Sequence, residues 1–233
     1  MAMLAARPTR DLVIVPFCGS MLALACDSAG GVGDQPADAV AAPGEVVGRF
    51  TARVALAEIL SVGATPLLAS ASCCVDPRCA ASLLAGVRAE LTEAGCPELP
   101  IAISTEKNLP TVQTGIGVTI VGAMACPWAR ARAGDALFVL GVPKVGRAVR
   151  LGDPEIADLP LLRRVLPQVR AIVPAGSRGV WHEALVLAAE AGLEAVAGEA
   201  VPAGSAGPAT ALVAAAPSAP TGTLALRQIG WLR

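Results

Sequence analysis

Apolar and polar positions fall into blocks along the chain, and the period changes from block to block. Leu12 to Phe17 is an apolar run that ends at the turn Cys18-Gly19-Ser20, and Leu22 to Cys26 is a second run. Two such runs around a turn predict a hairpin. A glycine-rich polar loop follows, Asp27 to Asp34. Val46 to Val62 has no proline and carries apolar residues at 50, 54, 57, 59, 60 and 62, the pattern of a mostly buried helix. Gly63 and then Pro66 give the expected order of stop signals. Leu67 to Val75 predicts a buried strand, Ala80 to Ala94 a second helix ended by Gly95, and Leu99 to Ser104 a strand. Thr114 to Met124 predicts a strand containing Gly115, Gly117 and Gly122.

The pattern restarts after a connector at 127–132. Ala136 to Leu140 and Ala171 to Val173 predict strands, Leu159 to Val169 a short helix, and Val180 to Ala191 a strong helix ended by Gly192. Ala203 to Gly222 is rich in Ala, Pro, Gly and Ser and predicts loop around one strand, Ala211 to Ala215, before a last strand, Leu224 to Leu232. Mixed strands and helices in two blocks predict an α+β (mixed α/β) protein of two domains, 1–126 and 133–233. At 233 residues either block can bury a core without disulfides.

Composition changes this picture in few places. Apolar residues make up 54%, but the longest stretch low in charge, Ile59 to Val75, is broken by Ser61, Gly63, Pro66 and Ser70. A membrane span needs ~20 consecutive apolar residues, so none is expected. The first residues read as a tail and then a strand, not a secretory signal. A net charge of -1 with 3% aromatic residues makes nucleic acid a poor partner. Seven cysteines without a C-x-x-C pair read as free thiols of a cytoplasmic protein, with a metal cluster around Cys73, Cys74 and Cys79 as the alternative. The single His182 excludes sites built on two histidines. Of 18 basic residues only Lys107 and Lys144 are lysine. Either this is chance, or these two sit where a compact ammonium is needed.

Four segments could carry chemistry. In the first, Asp27 precedes Gly30, Gly31 and Gly33, whose backbone N–H groups could approach an anion closely. An acid there suits a magnesium-bound phosphate, and a plain turn is the alternative. The second is Glu58, alone in an apolar helical stretch, either a surface residue or a buried carboxylate that needs a partner or a metal. The third, Ser104-Thr105-Glu106-Lys107-Asn108, puts a hydroxyl, an acid, a cation and an amide into one loop, and the alternative is a solvated turn. The fourth, Gly176-Ser177-Arg178-Gly179 before a helix, is a plausible anion site. It fits a nucleophile elbow poorly, because Ala175 stands where that motif has glycine. Three separate acids, glycine loops and a rare lysine together suggest metal-assisted phosphoryl transfer.

In this order the segments resemble the superfamily of aminoimidazole ribonucleotide synthetase, thiamine-monophosphate kinase and selenophosphate synthetase. The matching features are the Asp27–Gly33 loop and the run Ala57-Glu58-Ile59-Leu60-Ser61-Val62-Gly63-Ala64-Thr65-Pro66. The Glu106 loop before Gly117-Val118-Thr119-Ile120-Val121-Gly122 and the turn 174–180 follow in the same order. Within the superfamily, the S-T-E-K-N run and G-V-P-K-V-G look closest to alpha-ribazole kinases. Three departures stand out. Glu58 replaces an Asp, Glu106 falls one position late, and the C-terminal domain is short and lacks the loop Asp of kinase relatives.

The resemblance implies a two-domain fold whose N-terminal sheet pairs into a dimeric β-barrel, with a shortened C-terminal α/β domain. It implies a homodimer and an ATP- and magnesium-dependent small-molecule kinase. In that reading Asp27, Glu58 and Glu106 hold magnesium, and Gly30, Gly31 and Gly33 cradle phosphates. Lys107 offsets charge on the transferred group and Asn108 orients it. Gly176, Ser177, Arg178 and Gly179 help to bind nucleotide or acceptor. Two other readings stay open: ATP-driven activation of a carbonyl oxygen, and nucleotide binding without catalysis.

Overall fold

The computed structural model describes residues 7–125, 128–222 and 225–233. Residues 126 and 127, at the expected domain boundary, and Leu224 lie outside them, as does the expected tail at 1–6. Contacts along the chain divide it into two units, 1–59 with 64–126, and 60–63 with 127–233.

The first unit is a six-stranded sheet. Its strands are β1 (Arg7–Thr9), β2 (Leu12–Phe17), β3 (Ser20–Gly30), β6 (Thr65–Cys74), β7 (Ile101–Thr105) and β8 (Gly115–Met124), in the order β1-β2-β3-β8-β6-β7. A small pair, β4 (Val32–Gly33) and β5 (Val40–Ala41), and two helices, α1 (Gly44–Ser61) and α2 (Pro77–Glu93), complete it. The hairpin β2–β3 forms as its pattern predicts, with Cys18 and Gly19 both at positive φ in its turn. β6 and β7 are parallel, and α2 supplies the crossover that parallel strands require.

Two expectations need correction. β3 does not end at Cys26 but runs on to Gly30, because β8 pairs with it residue by residue from Met21↔Met124 to Gly30↔Gly115. The polar stretch read as a loop is therefore strand as far as Gly30. β6 is buried on one face only: Ala69, Ala71 and Cys73 are buried, while Leu67, Leu68, Ser72 and Cys74 are exposed. The buried face meets α1. A Cβ on Gly122 of β8 would lie 2.8 Å from Ile59 Cγ2. The helices approach each other at two glycines. A Cβ on Gly48 would collide with the Leu83 carbonyl, and one on Gly86 would lie 2.8 Å from Arg49 N.

The second unit has a five-stranded, wholly antiparallel sheet. Its strands are β9 (Ala136–Leu140), β10 (Ala171–Pro174), β11 (Ala195–Ala197), β12 (Leu212–Ala216) and β13 (Leu226–Leu232), in the order β10-β12-β9-β13-β11. The predicted short helix is α3 (Leu159–Val165), closed by a single tighter turn at 166–168. α4 (Val180–Ala191) begins after Gly179 and ends at Gly192, whose φ of 69° suits a glycine C-terminal cap. Val180, Ala184 and Leu187 of α4 join Leu137, Val139, Val173, Val213 and Ile229 of the sheet in one buried cluster. Sequence patterning missed β11, a three-residue edge strand, as well as β1, β4 and β5. No helix among the described residues is long and apolar enough to cross a membrane.

Candidate active site

Strand register gathers most of the predicted polar residues at one end of the first sheet. Across β3, β8, β6 and β7, Asp27 aligns with Val118, Ala71 and Ile103. The next row is Ser28, Gly117, Ser72 and Ser104, and the row after it holds Ala29, Ile116, Cys73 and Thr105. Glu106, Lys107 and Asn108 leave β7 directly beyond this edge. The three aligned serines are exposed, and Gly117 between them has no side chain.

Asp27 stands on the same face as buried Ala23 and Ala25, because strand residues alternate. Burial pushes its carboxyl up to about 6; the Ser28 amide opposes that rise and Asp11 adds to it. Glu58 is buried in α1, which settles the choice between surface and interior. Glu106 behaves differently. Its Oε1 accepts the amides of Asn108 at 2.6 Å and Leu109 at 3.1 Å, and these amides hold its carboxyl below the usual carboxylate range. Lys107 and Asn108 are exposed.

The glycines also differ from their expected role as a phosphate cradle. The Gly31 amide donates to Thr114 O at 2.9 Å, and Gly30 at the end of β3 pairs with Gly115 of β8. Gly31 has φ of 67°, where glycine is favoured. A Cβ on Gly33 would collide with the Thr114 hydroxyl and crowd Asp38 Oδ2 at 2.8 Å. Chain packing therefore accounts for Gly31 and Gly33 on its own, and the Gly31 N–H is not free for an anion.

The three acids expected to bind magnesium do not assemble a site. Among the described residues, no three carboxylate, thiol or imidazole groups gather where they could hold a metal ion. The residues present do not fit a three-carboxylate magnesium centre, and the same observation removes the thiol cluster at Cys73, Cys74 and Cys79. Burial raises the Cys73 thiol, with Cys74 adding to it, so this thiol is a poor source of thiolate.

In the second unit, Gly176, Ser177, Arg178 and Gly179 form the turn between β10 and α4. Ser177 and Arg178 are exposed, and the Gly179 amide closes the turn on Gly176 O at 3.1 Å. Lys144 is a cation held by design of its loop: its Nζ lies 2.6 Å from Asp153 Oδ2 and 2.7 Å from Glu155 Oε2. A compact ammonium fits between these two carboxylates.

Two features escaped sequence reasoning. Asp38 accepts hydrogen bonds from Thr114 N and Thr114 Oγ1, both at 2.8 Å, across 76 residues of chain. Burial alone would raise the Asp38 carboxyl, but the Thr114 and Gln35 donors outweigh it and hold it low. Between the helices, Arg49 and Arg53 of α1 enclose Glu90 of α2.

No protein-family model matches the sequence, and a search of curated proteins found no match. Solved structures do match. Thiamine monophosphate kinase from Aquifex aeolicus is 17% identical over 97% of this chain and 89% of that one, with a TM-score of 0.64. AaThiL complexed with AMPPCP and TMP is 15% identical over 96% and 84%, with a TM-score of 0.62. A chain of the HypE–HypF complex is 13% identical over 94% and 86%, with a TM-score of 0.63. The chain has the aminoimidazole ribonucleotide synthetase-like fold. The fold is mixed α/β, as the sequence predicts. Proteins of this fold include kinases and proteins of other activities, so fold alone does not choose the reaction.

Proposed function

We propose that the chain is an ATP-dependent small-molecule kinase. The observation that carries the reading is that strand register brings Asp27, on the helix-packed face, and the Glu106–Asn108 loop, which leaves β7, to the same end of the first sheet. The fold likeness to a thiamine monophosphate kinase supports it, as does the solved AMPPCP complex of AaThiL. Phosphoryl transfer asks a protein chiefly for positioning and for charge to set against the phosphates.

In this reading Lys107 offsets charge on the transferred group and Asn108 orients it. The Asp27 carboxyl flanks the site from β3. Glu106 shapes the loop through its own amides rather than reaching outward. The turn Gly176-Ser177-Arg178-Gly179 of the second unit supplies an anion contact of its own. Resemblance of the S-T-E-K-N run to alpha-ribazole kinases makes alpha-ribazole the first acceptor to test.

The first sheet also leaves a face without helices, on which Val13, Phe17, Leu24 and Leu68 are exposed. A second copy of the chain is the partner we assign to that face, as the resemblance to barrel-forming dimers implies. Exposed apolar patches of this kind mark interaction surfaces.

Mass spectrometry of the full chain with ATP, magnesium and alpha-ribazole tests the reading. ADP and a phosphorylated ribazole in equal amounts support it; ATP consumed with no phosphorylated acceptor contradicts it. One observation favours a second reading, nucleotide binding without transfer: the three expected acids do not form a metal site. Binding of AMPPCP without any ADP formed from ATP would select that reading.

A further inference from the structure

The glycine turn after β3 and the loop that carries Lys107 are fastened to each other through Thr114. Asp38 Oδ1 accepts from Thr114 N at 2.8 Å, and Asp38 Oδ2 accepts from Thr114 Oγ1 at 2.8 Å. The same Oδ2 takes the Gln35 amide at 2.8 Å, so the carboxylate holds its own turn and the opposite loop at once. Around this centre the Gly31 amide bonds Thr114 O, the Ala37 amide bonds Val112 O at 2.9 Å, and Gln113 Nε2 bonds Ala37 O at 2.7 Å. The fit is close: only a residue without a Cβ can occupy position 33 beside the Thr114 hydroxyl and Asp38.

The Lys107 loop has two fixed ends. At one end the Glu106 amide donates to Cys73 O at 2.9 Å, which ties the loop to β6. At the other end Thr114 is held by Asp38. Between these anchors Lys107, Asn108, Leu109 and Val112 are exposed, and Glu106 folds back on the Asn108 and Leu109 amides. The backbone that carries Lys107 and Asn108 is thus held at Cys73 on one side, by Glu106 on its own turn, and at Ala37 and Asp38 on the other side.

We propose that Asp38 is a positioning residue of the kinase site: through Thr114 it fixes the loop that presents Lys107 and Asn108. The proposal rests on the kinase reading above. Asp38 takes three donors from Thr114 and Gln35 and acts on the loop through Thr114. Charge matters to the role. A carboxylate accepts every donor aimed at it, whereas an amide of the same shape has one accepting oxygen and presents its N–H groups to the remaining donors.

The effect belongs in kcat rather than in ground-state binding, because a loop displaced by about 1 Å loses about 10²-fold in rate. The test compares Asp38→Asn, Thr114→Val and Thr114→Ser with the wild-type chain, using ATP and alpha-ribazole, and measures kcat and KM for ATP separately. Hydrogen exchange of 106–114 is followed with and without AMPPCP. We expect kcat to fall about 10²-fold in Asp38→Asn while KM for ATP stays within about threefold. The 106–114 amides then exchange faster although AMPPCP still binds. Thr114→Val, which replaces the hydroxyl with a methyl group, falls part of the way, and Thr114→Ser, which keeps the hydroxyl, recovers the loss.

Wild-type kcat in Asp38→Asn overturns the proposal, and so does a rise in KM with kcat unchanged. If Asp38→Asn does not fold, Thr114→Val against Thr114→Ser decides by the same measure. A wild-type chain that forms no ADP sinks the kinase reading and this role with it. A fully active Asp38→Asn sinks this role alone.

Discussion

Arg53 Nε donates to Glu90 Oε1 at 2.6 Å, with both side chains buried between α1 and α2. The second oxygen of Glu90 takes Arg49 Nε at 3.1 Å. Removing one partner of a buried pair leaves an uncompensated charge, which costs about 3–5 kcal/mol. Glu90→Ala is therefore expected to lower the unfolding free energy by about 3–5 kcal/mol, read as a lower denaturant midpoint with the slope unchanged. A loss well under 1 kcal/mol would show that water or Glu93 satisfies the two arginines.

Asp76 caps α2. Its Oδ1 accepts the Arg78 amide at 2.9 Å, and its Oδ2 pairs with the Arg78 guanidinium at 2.9 Å. The Arg78 side chain, and then its amide, lower the Asp76 carboxyl from 3.8 to about 2. A carboxyl lowered on folding stabilises the fold above its unfolded value, and that contribution is lost as pH falls through its folded value. Asp76→Ala should thus be less stable than wild type at neutral pH, and the gap should close between about pH 4 and about pH 2. Melting temperatures of the two proteins across that range check it. A gap that does not change with pH contradicts the capping account.

Legibility in the sequence followed range. α4 was predicted over its observed residues because its limits are local, a glycine before it and a left-handed glycine after it. The β2–β3 hairpin was equally local. The extent of β3 was not legible. Whether Asp27 to Gly30 is loop or strand depends on Gly115 and Gly117 far along the chain, which bring β8 alongside. The Asp38–Thr114 contact spans 76 residues and the Arg53–Glu90 contact 37, and no spacing rule reaches that far. Of the candidate site, the register brings Asp27 and the Glu106–Asn108 segment to one sheet end. Gly33 is required by close packing and Gly31 by its positive φ, and the three acids do not gather into one group among the described residues. Glu58, a carboxylate alone in an apolar helical stretch, takes the buried alternative of the two that its pattern allows.

Leu24 is a large apolar side chain at 41% exposure on β3, a strand in the interior of the sheet. If a second copy covers this face, Leu24→Asp puts a charge into the interface and desolvates it. The full chain should elute as a dimer in sizing with light scattering, and Leu24→Asp as a monomer with unchanged circular dichroism. A wild-type monomer at every concentration tested contradicts the assigned partner.

Lys107 is exposed, so its removal leaves the core intact. A charge clamp on the transferred phosphoryl group is worth about 10³-fold or more in rate. Lys107→Ala should lose turnover by that factor and keep the wild-type melting temperature. Activity within about threefold of wild type would take Lys107 out of the site, since a group contacting the transition state costs far more than that when removed.

Phosphoryl transfer itself is tested most directly with ATP labelled with heavy oxygen on its terminal phosphate. The full chain is incubated with that ATP, magnesium and alpha-ribazole, and product masses are followed with time. The account predicts that the labelled phosphoryl group appears on the ribazole at the rate at which ADP forms. Label found only in inorganic phosphate, or no ADP while AMPPCP still binds, contradicts it.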